Sequence, residues 1–118
     1  MTQMYSQQKK TVVTFDILVQ SDNSYQLSKL GIEVSSEMAL ENSFSVKMHA
    51  DVLSISHIEP YWKDESKSFV TVSGERYLFN LPHFSIVEII NWCMKHHSVL
   101  NVPFAVYDSA QVLEEINK

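Results

Sequence analysis

The chain has 118 residues, 45% of them hydrophobic and 19% charged, with a formal net charge of −5 at pH 7. That length suits one domain burying roughly two-thirds of its unfolded surface, with no room for a second independent core. Arg76 is the only arginine, which argues against general nucleic-acid affinity, and Cys93 is the only cysteine, which excludes an intrachain disulfide and a cysteine-rich zinc site. No run approaches the roughly 20 apolar residues needed to span a bilayer. The apolar run behind Lys9 and Lys10 is interrupted by Asp16 and lacks a small-residue cleavage site, so the expectation is a cytoplasmic protein without a membrane contact.

Residues 1–10 are polar with little to bury and read as a flexible N-terminal arm, leaving 11–118 as a single domain. Thr11 to Gln20 alternates as a strand, with Val13, Phe15, Ile17 and Val19 on one face and Thr14, Asp16 and Gln20 on the wetter one. Ser21 to Ser24 is turn chemistry. In Tyr25 to Val34, Asn23 and Gln26 suit a short capped helix ended by Gly31, whereas Leu30, Ile32 and Val34 alternate as a strand does; the strand is preferred. Ser35 to Asn42 reads as a turn or a single helical turn. Phe44 to Ile58 reads as one long strand that changes phase: Phe44, Val46, Met48, Ala50 and Val52 are apolar at even positions, Leu53 and Ile55 at odd ones. A one-residue slip reverses the faces, so a bulge or bend is expected near Val52.

Glu59 to Ser68 is a charged loop that carries Tyr61 and Trp62. The next segment carries the clearest instructions in the chain. Two β-rich runs flank Ser73-Gly74, a short hairpin signal that sets Val72 opposite Glu75 and Val70 opposite Tyr77, with Val70, Val72, Tyr77, Phe79 and Leu81 on the core face. After Pro82, Ser85 and Glu88 have the spacing of a capping box, and Phe84 and Ile89 that of a hydrophobic staple, so a helix is expected over Ser85 to Ser98. Its apolar arc gathers Ile86, Val87, Ile89, Ile90, Cys93, Met94 and His97, with Glu88, Asn91, Lys95 and Ser98 opposite. Asn101 to Tyr107 reads as a short strand or extended segment, and Asp108 with Gln111 resembles a second capping box. It opens a terminal helix with Val112, Leu113 and Ile116 inward. The architecture expected is α+β: an antiparallel sheet of four or five strands, one main amphipathic helix on one face, and a short C-terminal helix.

Only Gly31 and Gly74 are present, so glycine-rich phosphate loops are absent, as are a G-x-S-x-G elbow and an H-E-x-x-H helix. No catalytic, cofactor or metal site is assigned. Cys93 and His97 share a helical face four residues apart, beside His96, but lack the further ligands of a closed zinc site and read as buried structure. His49, Asp51 and His57 fall on one side of the long strand, yet His49 and His57 are roughly 26 Å apart along a straight strand. Tyr61 and Trp62 are different, because large aromatic groups in a charged loop are favoured as binding anchors or fold back to cap the sheet.

The function expected is a small non-enzymatic protein-interaction or regulatory module that meets an unidentified protein partner through Glu59, Tyr61, Trp62, Asp64 and Glu65, without a cofactor. Open sheet edges also offer a route to a homodimer. The alternative is a small enzyme or ligand-binding domain that uses His83, His96 or His49 with a carboxylate in a cleft between sheet and helix. A nucleic-acid role rests only on Lys9, Lys10, Lys63 and Lys67 as a local patch.

Overall fold

The computed structural model describes residues 9–20 and 43–118. The turn expected over Ser21 to Ser24, the strand over Tyr25 to Val34 and the turn over Ser35 to Asn42 lie outside the described residues, as does most of the expected arm. The chain is α+β, with strands β1 (Lys10–Gln20), β2 (Ser43–Asp51), β3 (Ile55–Pro60), β4 (Ser68–Val72), β5 (Glu75–Phe79) and β6 (Phe104–Asp108), and helices α1 (His83–Ser98) and α2 (Ser109–Ile116). Five strands form an antiparallel path in the order β2-β1-β5-β4-β3, and β6 joins β1 in parallel.

β1 is the hub. Along one edge it pairs with β2 from Val12 to Gln20, and its other edge is shared between β6, over Lys10 to Thr14, and β5, at Ile17 and Leu18. With neighbours on both sides, Val12 and Thr14 are buried as well as the inward Thr11, Val13, Phe15 and Ile17. Thr14, expected on the wetter face, is thus buried, whereas the Asp16 side chain on that face is 39% exposed. Phe15 packs on Phe79 with ring centroids 4.9 Å apart, and each such side chain buried contributes roughly 1.5–3 kcal/mol of transfer free energy.

The phase change in the long apolar segment marks a corner. A 3-10 turn at Val52–Ser54 divides the expected single strand in two, and Asp51 caps it by accepting a hydrogen bond from the Leu53 amide at 3.1 Å. β2 and β3 stand at opposite ends of the strand order yet are joined by these three residues, so the sheet curls until its ends meet at the corner. The Ser73 amide donates to the Ser54 carbonyl at 2.9 Å, tying the corner to the β4–β5 turn. In that turn Ser73 and Gly74 both have positive φ, 52° and 84°, the geometry whose twist suits a two-residue hairpin. Val70 faces Tyr77 and Val72 faces Glu75, the register expected from the turn.

α1 lies against the inner side of this curl, where Ile86, Ile89 and Cys93 share one buried cluster with Val13, Phe15, Ile17, Val70, Val72 and Phe79. Its start corrects the expected capping box and staple. The helix begins at His83 with Pro82 as N-cap, at φ −63° and ψ 150°, and no side chain caps it. Proline's fixed φ already presets the entry, which places Ser85 inside the first turn, its amide donating to the Pro82 carbonyl at 3.1 Å. Phe84 lies inside the helix, not before its cap where a staple residue sits, and is 58% exposed. The buried stripe is also narrower than the arc, because Val87 and Met94 are exposed.

The other end of α1 is held by β1 and the segment around it. Lys9 donates through Nζ to the carbonyls of His97 and Ser98, both at 3.0 Å, and of Leu100, meeting the negative end of the helix dipole. His97 is fully buried between Thr11, whose Oγ1 is 2.7 Å from Nδ1, and the Val102 carbonyl, 3.0 Å from Nε2. A carbonyl only accepts, so Nε2 carries the hydrogen. At α2, Asp108 is the N-cap as expected and accepts from the Ala110 amide at 2.9 Å, with Val112 buried and Leu113 and Ile116 packed on the core.

Candidate functional site

The β3–β4 connection is a closed loop. The Tyr61 amide donates to the Lys67 carbonyl at 3.0 Å, the Asp64 amide to the Tyr61 carbonyl at 3.2 Å, and the Lys67 amide to the Asp64 carbonyl at 3.0 Å. Asp64 works as an internal brace. Its Oδ2 accepts from Lys67 Nζ at 2.6 Å, and its Oδ1 from the Ser66 hydroxyl at 2.6 Å and the Ser66 amide at 3.0 Å. The Lys67 ammonium and the Ser66 donors hold the Asp64 carboxyl down, to about 2.

The loop separates the two aromatic residues. Tyr61 is 6% exposed and meets Phe69 edge-on, with centroids 5.2 Å apart. Trp62 is 81% exposed, touched by Tyr61 at a centroid distance of 6.5 Å and by Lys63 Nζ 4.9 Å from its centroid. Beside the loop, Glu59 bridges Arg76 at 2.8 Å and His57 at 3.3 Å, and the Arg76 guanidinium lies over the Phe69 ring at 3.9 Å. Glu65 is exposed. Of the five expected contact residues, Tyr61 thus lies inside, Glu59 and Asp64 are occupied by neighbours, and Trp62 and Glu65 face outward.

The histidines do not gather in one place. His49 Nδ1 is 2.7 Å from the Thr14 hydroxyl across the β1–β2 pair, His57 pairs with Glu59, His83 meets the Phe84 ring, and His96 meets Tyr107. A cleft of about 570 Å³ runs beside the C-terminal half of β2 and includes His49 and Asp51 with Lys10, Val12, Phe104 and Val106. Cys93 is fully buried, and burial pushes its thiol up to about 12. Both His97 nitrogens are engaged, so the pair forms no thiolate–imidazole couple. Among the described residues, no group of three or more His, Cys, Asp or Glu side chains could hold a metal ion. Of the lysines weighed as a basic patch, Lys9 is bound to helix carbonyls, Lys63 lies over Trp62, and Lys67 is paired with Asp64. No described helix is long and apolar enough to cross a membrane.

One arrangement goes beyond the sequence reading. Trp92 and His96, four apart on α1, stack with centroids 4.7 Å apart, and Tyr107 on β6 stands at right angles to both. The signal that could have found it is the spacing of two rings on one helical face beside an aromatic-bearing extended segment. No protein-family model, curated protein or solved structure matches this chain.

Proposed function

We propose that this chain is a non-enzymatic protein-interaction module whose principal contact is Trp62 at the tip of the β3–β4 loop. The observation that carries this reading is an indole 81% exposed on a loop already closed by its own hydrogen bonds. Binding through such a loop costs little further ordering, and tryptophan is among the residues enriched as interface anchors. Tyr61 holds the loop to Phe69, Asp64 braces it, and Glu59 fixes Arg76 at its side. Glu65 has no ion pair among the described residues and supplies a rim charge for a basic partner. The lone free cysteine suits a reducing compartment, which supports a cytoplasmic setting. The outer edge of β3 is unpaired among the described residues, which supports pairing with a second copy.

The test is capture of a partner by the wild type and by Trp62→Ala, each first shown to be folded by circular dichroism. A partner held through this anchor binds the variant about thirtyfold more weakly, the effect of losing a side chain worth about 2 kcal/mol. Equal capture by both proteins refutes the assignment.

A second reading, small-ligand binding, is favoured by the cleft beside His49 and Asp51, whose volume of about 570 Å³ falls in the usual pocket range of roughly 300–1,000 Å³. Ligand-induced shifts of the His49 ring resonances in a fragment screen support it, and their absence across the screen removes it.

A further inference from the structure

We propose that a second site, the cavity between α1, β6 and α2, receives the ammonium or guanidinium head of a lysine or arginine side chain on a partner protein. This inference is independent of Trp62. The cavity measures about 330 Å³, the scale of one long side chain, and its walls include Trp92, Tyr107, Gln111, Asp108, Glu114 and Glu115.

Two kinds of wall meet here, and a cation is the group that suits both. Trp92 and Tyr107 stand at 87° with centroids 5.9 Å apart, presenting ring surface from two directions. Their orientations are fixed from behind, since His96 stacks on Trp92 at 8° and its Nδ1 lies 3.0 Å from the Tyr107 hydroxyl. Aromatic faces attract cations through their quadrupole. The three carboxylates supply the charge. Asp108 spends one oxygen on the Ala110 amide and lies within electrostatic reach of Lys47, Glu115 is paired with Lys118 at 2.9 Å, and Glu114, which has no ion pair among the described residues, is the carboxylate left for a ligand. No basic side chain lines the cavity.

The other ligand classes fit less well. An anion meets three carboxylates. A neutral apolar group strips water from them without replacing it. A bare metal ion finds no group of three ligating side chains among the described residues. An organic cation satisfies the carboxylates with its N–H donors and the rings with its charge. A polypeptide carrier is favoured by what adjoins the cavity. Val106 lines it, and Phe104, two residues away on the same face of β6, is likewise about half exposed, giving apolar surface along which a backbone can lie.

The experiment uses the full chain carrying Trp62→Phe, which leaves Trp92 as the single tryptophan. Its fluorescence is followed during titration with the blocked amides of lysine, arginine and norleucine, and with short peptides in which lysine or norleucine is flanked by apolar residues. The cationic probes are expected to change Trp92 emission and the norleucine probes to leave it unchanged, with the lysine peptide binding more tightly than the lysine amide. Glu114→Gln, at an exposed position that leaves folding intact, is expected to weaken lysine-peptide binding about fivefold. The proposal is overturned if norleucine probes act like lysine ones, if no cationic probe responds up to about 50 mM, a range too weak for any anchor, or if Glu114→Gln binds unchanged. A lysine amide that binds as tightly as the peptide also overturns it, by pointing to a free amine as the ligand.

Discussion

Replacing Thr11 by valine isolates a single buried hydrogen bond. The two side chains are nearly the same shape, and valine suits an interior strand at least as well as threonine, so packing around β1 is retained. What changes is the partner of His97. The Thr11 hydroxyl, 2.7 Å from Nδ1, is the donor that ring nitrogen has on its inner side, and the imidazole is fully buried. Because Nε2 must keep its hydrogen for the Val102 carbonyl, the ring cannot compensate by exchanging tautomers. An acceptor left buried and unsatisfied costs about 1–3 kcal/mol. With a urea slope of about 1–3 kcal/mol per molar for a small domain, the midpoint falls by about 1 M while the slope stays constant. Equilibrium urea unfolding followed by far-ultraviolet circular dichroism measures this. A loss below about 0.5 kcal/mol at unchanged slope refutes the reasoning, since that is the level expected of an ordinary surface substitution.

Two further outcomes concern pH. The Cys93 thiol is raised from 9.0 to about 12 by burial, so its contribution to stability is intact below the unfolded pKa and is lost as pH rises from there towards the folded value. Unfolding free energy should therefore decline above about pH 9 in the wild type and decline less in Cys93→Ala; thiol reagents should label the folded protein slowly and the urea-unfolded protein at once. Asp64 has the opposite sign. Lowered from 3.8 to about 2 by the Lys67 and Ser66 hydrogen bonds, it supports the loop above the unfolded pKa and ceases to as pH falls through the folded one. A carboxyl resonance of Asp64 titrating near about 2, accompanied by a change in Trp62 emission that Asp64→Asn abolishes, is the expected result; titration near the ordinary aspartate value of about 3.9 contradicts the described brace.

The period of two in β4 and β5 and the Ser73-Gly74 pair made the hairpin register and its core face legible, because both depend on neighbours only a few residues away. The phase slip at Val52 was legible for the same reason, although whether it made a bulge or a corner depended on pairing at distant ends of the sheet. The start of α1 misled because a capping-box pattern and a preceding proline offer competing entries, and Pro82 took precedence. The width of the buried stripe depended on which flank of the helix the curled sheet covers, a tertiary fact that leaves Val87 and Met94 outside. At the loop, Tyr61 and Trp62 are adjacent and chemically alike, and it is Phe69, eight residues from Tyr61, that decides which ring turns inward. The parallel pairing of β6 with β1 carries no local signature at all. The four-residue spacing of Trp92 and His96 is local, but the arrival of Tyr107 beside them depends on that pairing.

That parallel pairing bears on how the molecule is assembled. Lys10 is matched with Phe104 and Thr14 with Asp108, while the same strand also accepts β2 along its other edge and β5 further along. β1 therefore waits for β6, whose Phe104 and Asp108 pair with Lys10 and Thr14, before both its edges are covered. Until then the apolar side chains of Val13, Phe15 and Ile17 stand next to open backbone, so a chain held back in translation before residue 104 presents the surface that chaperones and aggregation both act upon. Ordering contacts this distant in sequence also slows folding. Lys9, reaching across to the carbonyls at the end of α1, is another contact between segments distant in sequence.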